Sequence, residues 1–419
     1  MRKVDIARYM VADKKELVFW LYTAGMAIAF FGSLHPWFMW MLGPFYIVVS
    51  CVFLFLAFLV DRSLSQRSFS YEYFLYPTLG YVMVYYYQQM VNMQNIMSYI
   101  VGLFYVYVFF CLFRINEDTT RRFVNVITKA LAVLLIVSMA GYIMYIFGFP
   151  LPSTNAEYGD NIYSYSNYYI FLLDDRSLFT IVPRFHAVFL EPGHLGTLTT
   201  MLLVTHTGHW RKWYCIVLIV ATLLTFSLAG YVMFAFAVFF NLWIQRKAVI
   251  RKAVAVILLS GAVVVGSFFY NDGMNMVNQL IVMRLEMDDG KLSGDNRVTD
   301  DFQRDYESFL TYPDVLFGRD MERVWGSTGY KVYVYDYGLF GVLFMALFVY
   351  SSLRCVKDRR VFFSTIAMAV LLFIVRDALL WCGFFAPLYC CAKIFDKAKV
   401  VEETSINSNQ GNIKQVLSS

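Results

Sequence analysis

The sequence predicts an all-α protein: a polytopic transmembrane helical bundle of about twelve spans, with two larger loops on its outer face. Three observations carry this. The 419 residues are 59% hydrophobic and 19% aromatic, against roughly 45–50% apolar for a soluble domain, and mean hydropathy is +0.55. The apolar runs approach or exceed the roughly 20 residues that cross a ~30 Å hydrocarbon core as a helix, rather than the ~10-residue alternation of barrel strands. Finally, Lys and Arg sort to one side of the proposed spans, as the positive-inside rule requires.

Taken in order, a polar, basic leader (1–16, "MRKVDIARYMVADKKE") precedes the first span and is expected to stay cytoplasmic. Spans follow near 17–34, 37–60, 72–91, 96–113, 126–149, 186–206, 213–229, 230–245, 251–270, 331–353, 361–376 and 378–394, so that the membrane domain covers 17–396. Two pairs, meeting at "SLAGY" and at Arg376–Asp377, have short halves, and either reads equally as one broken helix. Residues 397–419 form a polar cytoplasmic tail. With the N-terminus inside, Arg62, Arg67, Arg114, Arg121, Arg122, Arg211, Lys212, the 246–252 and 354–360 clusters and the tail lysines all lie inside, while the short outer loops carry none.

Two long segments fall on the outer face, 150–185 and 271–330, and long loops outside compact bundles are commonly functional. The first has two β-prone runs, "YYIFLL" and "LFTIV", around "DDRS", which predict a hairpin lying on the membrane surface. The second holds twelve Asp and Glu against six Lys and Arg. Within it, Val298, Phe302, Tyr306 and Phe309 recur at helical spacing and predict an amphipathic surface helix over 297–312.

The composition also excludes functions. The formal charge of +5 is scattered among short loops, which does not suit nucleic-acid binding. Cys51, Cys111, Cys215, Cys382, Cys390 and Cys391 fall in spans and Cys355 in a basic loop, giving neither a disulfide framework nor metal-ligand spacing. His186, Glu191 and His194 lack the H-E-x-x-H pattern, and His206 and His209 lie roughly 18 Å further along at 1.5 Å per residue, so no metal is expected. No phosphate loop, nucleophile elbow or D-x-D signature of nucleotide-sugar binding occurs, so no cofactor is expected and an enzyme here needs a membrane-delivered activated substrate.

The chemistry-bearing stretch is "RFHAVFLEPGHLGTLTT", 184–200. Glu191 and His194 lie three apart, with Arg184 just outside the span and Pro192 interrupting the ladder. A charge at the bilayer centre costs about 2.5–3.5 kcal/mol, so such groups face a bundle interior or a water-filled cavity. Either Glu191 pairs with Arg184 or His194 and fixes the helix entrance, or these groups line an outward cavity. "TFSLAGY" (225–231) brings the Ser227 hydroxyl and small residues to the end of another span, where small residues commonly serve close helix packing. Arg297, Arg304, Arg319 and Arg323 are cations on an acidic loop, only one or two of which belong to a site. Arg376 sits in "LLFIVRDALL", either paired with Asp377 at a helix break or facing a ligand.

Arg184 with "FHAVFLEPGHLG", then "LLTFSLAGY", then an outer loop with "SGDNRVTDDF" and "YPDVLFG", then a helix with "YDYGLFGVLF", resembles in order and layout the Wzy-type O-antigen polymerases of the O-antigen polymerase and ligase superfamily, over about residues 70–395. The resemblance implies a GT-C-like, metal-independent glycosyltransferase of the bacterial inner membrane. It would have both termini cytoplasmic and its site on the periplasmic face, joining undecaprenyl-diphosphate-linked oligosaccharide repeat units into O-antigen, capsular or exopolysaccharide chains. Its implied partners are that lipid-linked oligosaccharide, membrane lipid, a chain-length regulator and a flippase. On this view Arg184, Arg297, Arg319 and Arg376 receive the lipid diphosphate, Glu191 or His194 is the general base, and Ser227 and Tyr168 contribute to substrate binding. Tyr158, Tyr163, Tyr165 and Tyr169 also offer ring faces to sugars, as an interfacial tyrosine belt equally would. Ligases of the superfamily carry a histidine near the position of Ser327, and no histidine follows His209, which favours the polymerase branch over a ligase. A lipid-linked oligosaccharide flippase is the alternative of a different class, expected to line its central cavity with cations.

Overall fold

A computed structural model describes residues 2–60, 71–159, 163–175, 182–245, 299–319, 329–376 and 378–396, with scattered positions between 254 and 292. The protein is predominantly helical. Its helices are α1 (Arg2–Gly32), α2 (Tyr46–Val60), α3 (Leu75–Val91), α4 (Ile96–Arg114), α5 (Glu117–Ile146), α6 (Pro192–Thr205), α7 (Trp213–Leu224), α8 (Leu228–Gln245), α9 (Asp300–Phe309), α10 (Tyr330–Leu353), α11 (Arg359–Val375) and α12 (Cys382–Phe395). Among the described residues, five helical stretches are long and apolar enough to cross a membrane: Trp37–Val60, Ile96–Arg114, Glu117–Ile146, Leu228–Gln245 and Tyr330–Leu353. Trp213–Leu224 and Cys382–Phe395 are apolar but shorter. The span expected at 251–270, the tail 397–419, Arg297, Arg323, Ser327 and Asp377 lie outside the described residues.

The leader does not stand apart from the first span, since α1 runs unbroken from Arg2. Capping defines several starts: the Asn95 and Asn116 side chains accept N–H groups of Ser98 (3.1 Å) and Thr119 (2.7 Å), each supplying a partner to a donor that the first helical turn leaves free. α6 is the central helix. Every residue from Gly193 to Thr205 is buried, and α6 packs against α5, α7, α8 and α12. It crosses α8 at Gly196 and Gly230, where a Cβ on either would stand 3.1 or 3.2 Å from the opposing Cα; small residues permit this backbone approach between helices.

Two sequence expectations are corrected here. The span expected from 186 starts only at Pro192, and residues 183–191 form an irregular strap. Phe185 N–H donates to Leu224 O (3.2 Å) and Leu172 N–H to Ala187 O (2.8 Å), so tertiary contacts replace the helical ladder. Pro192 at the first helical position has no N–H to leave unpaired, which suits it to begin the helix. The hairpin also lies earlier than expected. Strands β1 (Thr154–Tyr158), β2 (Tyr163–Asn167) and β3 (Leu172–Asp174) form an antiparallel sheet in the order β1-β2-β3, with Thr154 opposite Asn167 and Asn167 opposite Leu172. Of the first β-prone run only Leu172 and Leu173 are in a strand, which continues to Asp174; most of the second run lies outside the described residues. The sheet is an addition to the all-α expectation. It rests on the 3-10 segment Trp37–Phe45 and on the strap, through Trp37 Nε1 to Tyr169 O (3.0 Å) and the Tyr165 hydroxyl to Leu190 O (2.7 Å).

The amphipathic surface helix is present as α9, with Thr299 as its N-cap and Phe302, Tyr306 and Phe309 buried. These rings pack on Val332 and Tyr335 at the start of α10. Next in sequence, the "YPDVLFG" loop docks onto a break in α10. Gly338 (φ 62°, ψ −170°) interrupts that helix, freeing the Tyr335 carbonyl for Arg319 N–H (2.7 Å) and the Tyr337 carbonyl for the Tyr87 hydroxyl (3.1 Å). A Cβ on Gly338 would lie 2.5 Å from Leu316 O, and one on Gly318 2.1 Å from Asp336 O. Both positions have φ above zero and require glycine twice over, for conformation and for space.

Candidate functional site

The strap, the turn between α7 and α8, and the break between α11 and α12 meet at one place. Glu191 is the N-cap of α6, in an extended conformation, and its side chain makes no capping bond. Its carboxylate instead reaches Arg376 Nη1 at 2.7 Å. Arg376 is the C-cap of α11, also extended, so the chain break turns its side chain away from its own helix. Glu191 thus has Arg376 as its close partner, with His194 Nε2, one of the two partners expected for it, at 4.0 Å. The Asp377 expected beside Arg376 lies outside the described residues.

Gly193 makes the arrangement possible. A Cβ there would stand 1.9 Å from Arg376 Nη2 and 3.4 Å from Ser227 Oγ, so the guanidinium lies directly over the first turn of α6. Ser227 serves as a cap: its Oγ accepts the Gly230 N–H (3.3 Å) at the start of α8, and its own N–H donates to Thr225 Oγ1 (3.3 Å). Arg184 Nε donates to the carbonyl of Thr225 (3.3 Å), which ties the strap to the same turn. Ala187 (φ 48°) and Phe226 (φ 44°) are non-glycine residues at positive φ in these two connections. Strained backbone of this kind persists only where the surroundings over-determine it.

The electrostatics follow from helix direction. The first turns of α6, α8 and α12 converge here, since Gly193 abuts Ser227, and His194 packs edge-on against Trp381, the N-cap of α12, at 5.3 Å between ring centres. Each helix N-terminus carries the equivalent of roughly half a positive charge, and Arg376 and Arg184 add two full ones. Glu191 is a counter-charge, and the C-termini of α7 and α11, which end here at Thr225 and Arg376, offset about half a charge each, so the sum stays positive and favours anions. Several buried polar atoms are left without a hydrogen-bond partner among the described residues: Arg376 Nε, His194 Nδ1, Thr197 Oγ1 and Thr200 Oγ1. Native interiors rarely leave such groups unpaired without water or a ligand to meet them. The Glu191 side chain is 27% exposed and that of Arg376 13%, so the pair borders an opening rather than being sealed.

The expected site residues therefore divide. Glu191, His194, Arg376, Ser227 and Arg184 come together. Arg319 is engaged elsewhere, donating from Nε to Asp314 (2.9 Å), lying 3.6 Å from Asp305, and stacked over Phe309 and Tyr312; it fastens the outer loop. Tyr168 lies face to face on Phe171 (4.7 Å, 9°) and against Tyr145. Sequence reasoning missed Gly193 and Trp381, which the fold sets against Arg376 and His194. Of these, Gly193 had a readable signal, since a glycine immediately after a helix-starting proline and beside a charged residue marks close approach.

No protein-family model, curated protein or solved structure matches the chain.

Proposed function

We propose that this protein is a GT-C-like membrane glycosyltransferase of about twelve spans that polymerises undecaprenyl-diphosphate-linked oligosaccharide repeat units at the outer face of a bacterial inner membrane. The observation that carries the reading is the Glu191–Arg376 pair set where three helix N-termini converge. It offers what the transfer requires: a carboxylate beside concentrated positive potential, on the edge of an otherwise apolar bundle.

In the reaction an acceptor sugar hydroxyl attacks the anomeric carbon of the donor from the face opposite the diphosphate. A new glycosidic C–O bond forms, the anomeric C–O bond to phosphate breaks, and its electron pair departs with the lipid diphosphate. Glu191 takes the hydroxyl proton, with His194 as the other candidate at 4.0 Å from that carboxylate. The departing diphosphate meets the helix N-termini, Arg184 and the Nε of Arg376 that Glu191 leaves available. Arginine suits this role because its planar fork matches phosphate oxygens. In-line displacement with inversion needs charge stabilisation and positioning, both of which these groups supply.

The test is a cell-envelope glycan ladder. The gene is deleted and complemented with wild type, Arg184→Ala, Glu191→Gln or Arg376→Ala, each checked for membrane level and thermal stability. Single repeat units after deletion, and failure of the folded variants to restore long chains, support a polymerase. Long chains stranded on the lipid carrier identify a ligase, loss of outward-facing lipid-linked units identifies a flippase, and an unchanged ladder removes all three.

A further inference from the structure

Four half-buried rings lead outward from His194, drawn from three separate segments: His35 and Trp40 after α1, Tyr158 at the end of β1, and Trp381 at the start of α12. Their centres follow one another from the site outward, with His194–Trp381 at 5.3 Å, Trp381–His35 at 5.1 Å, His35–Tyr158 at 5.8 Å and Tyr158–Trp40 at 5.0 Å. Beyond Trp40 the series is anchored by buried Tyr165 (5.8 Å), which itself lies 5.7 Å from His186.

An interfacial aromatic belt turns its rings towards lipid. Phe38 and Phe45, 50% and 69% exposed, do that in the same stretch of chain. His35, Trp40, Tyr158 and Trp381 instead pack edge against face between the sheet and the helices, each partly covered and partly open. The imidazoles give a second, independent sign. His35 Nδ1, His186 Nε2 and His194 Nδ1 are buried and have no hydrogen-bond partner among the described residues, and His194 and His186 are only 7% and 1% exposed. Burial also pushes the His35 pKa down, which keeps its ring neutral and able to accept as well as donate a hydrogen bond.

Apolar ring surface interleaved with unmet hydrogen-bonding atoms fits an amphipathic ligand, one with C–H faces and a rim of hydroxyls. A charged ligand would find no counter-charge along these four rings, and a lipid tail would leave the imidazoles unpaired. We infer that His35, Trp40, Tyr158 and Trp381 form a saccharide subsite for the acceptor, holding the sugar whose hydroxyl faces Glu191 and His194. This rests on the polymerase reading and adds to it the place where the acceptor glycan lies.

The experiment uses the oligosaccharide released by mild acid from the carrier lipid that accumulates in the deletion strain. Without lipid or diphosphate, the probe reports on sugar contacts alone. It is titrated by saturation-transfer NMR against full-length protein in nanodiscs. Trp381→Ala and Tyr158→Ala are each expected to weaken binding about tenfold, equivalent to about 1.4 kcal/mol, while Trp381→Phe stays within about threefold of wild type. Tyr158 lies on a surface strand, so its variant reports even if Trp381→Ala does not fold. Failure of the wild type to bind, or equal binding by wild type and folded Tyr158→Ala, overturns the subsite alone. A deletion strain that accumulates no carrier-linked oligosaccharide and keeps its full ladder overturns the polymerase reading and the subsite with it.

Discussion

The two ends of α6 carry similar residues and treat them differently. At the far end, His206 Nε2 lies 2.9 Å from Thr128 Oγ1, Thr205 and Thr207 donate to Leu202 and Val204 carbonyls (2.6 and 2.8 Å), Trp210 Nε1 donates to Leu203 O (2.8 Å), and Gly208 N–H reaches Asn241 (2.9 Å). At the near end, His194, Thr197 and Arg376 each keep a buried atom without a partner among the described residues. A histidine and threonines in an apolar helix thus say little by themselves. Whether the surrounding chain completes their hydrogen bonds separates a helix terminus that holds itself together from one that keeps unmet polar atoms.

On the proposed polymerase reading, the contrast is sharpest in activity. Glu191→Gln keeps the side-chain shape and removes the proton acceptor, and is expected to lower polymer formation about 10²–10⁴-fold, the range for a positioned general base; a ladder of normal length from a folded variant would remove Glu191 from the reaction. Gly193→Ala comes next. Its Cβ displaces the tip of a flexible arginine, so the loss of stability should stay within the about 2 kcal/mol that the ion pair carries, while moving the guanidinium off Glu191 is expected to cost about 10²-fold in chain formation. Unchanged activity would show that the position of Arg376 does not matter.

A smaller effect concerns the pair itself. Removing one partner of a fully buried ion pair costs about 3–5 kcal/mol. The 27% exposure of the Glu191 side chain reduces the expected loss for Glu191→Ala to about 2 kcal/mol. Most of that should return in the Glu191→Ala/Arg376→Ala double variant, and strict additivity in a double-mutant cycle would show that the two are not coupled. Least affected is the far end. His206→Leu loses one hydrogen bond and is expected to cost about 1 kcal/mol in thermal unfolding with full chain formation retained; a strong activity loss there would break the distinction between the two ends.

The helices were legible because long apolar runs and polar caps are local signals, and the amphipathic face of α9 was legible from the spacing of Phe302, Tyr306 and Phe309 alone. The strap was not. "FHAVFL" is as apolar as a membrane helix, and its departure from helix depends on contacts with Leu224 and Leu172, remote in sequence. The strands "TNAEY" and "YSYSN" are polar, and their pairing is supported by Trp37, Trp40 and the Tyr165–Leu190 contact rather than by intrinsic preference. The candidate site was half readable. Charged and small residues at span ends marked Glu191, His194, Ser227 and Arg376, but which charge meets which is a property of helix packing. Adjacency pointed from Arg376 to Asp377, which lies outside the described residues, and gave no sign of Glu191, the partner the fold delivers.

The docking of Gly318 on the Gly338 break bears on how such a protein can be altered. Backbone touches backbone there, with no side chain between, so both ends of the intervening segment are pinned. Chain-closure cost rises by only about 0.6 kcal/mol for each doubling of length in a flexible loop. Residues inserted between Arg319 and Gly329, short of the Val332 and Tyr335 that pack on α9, should therefore leave the bundle and its charged pair where they are. That makes the segment a natural place to graft new sequence, and the two glycines the positions to leave untouched.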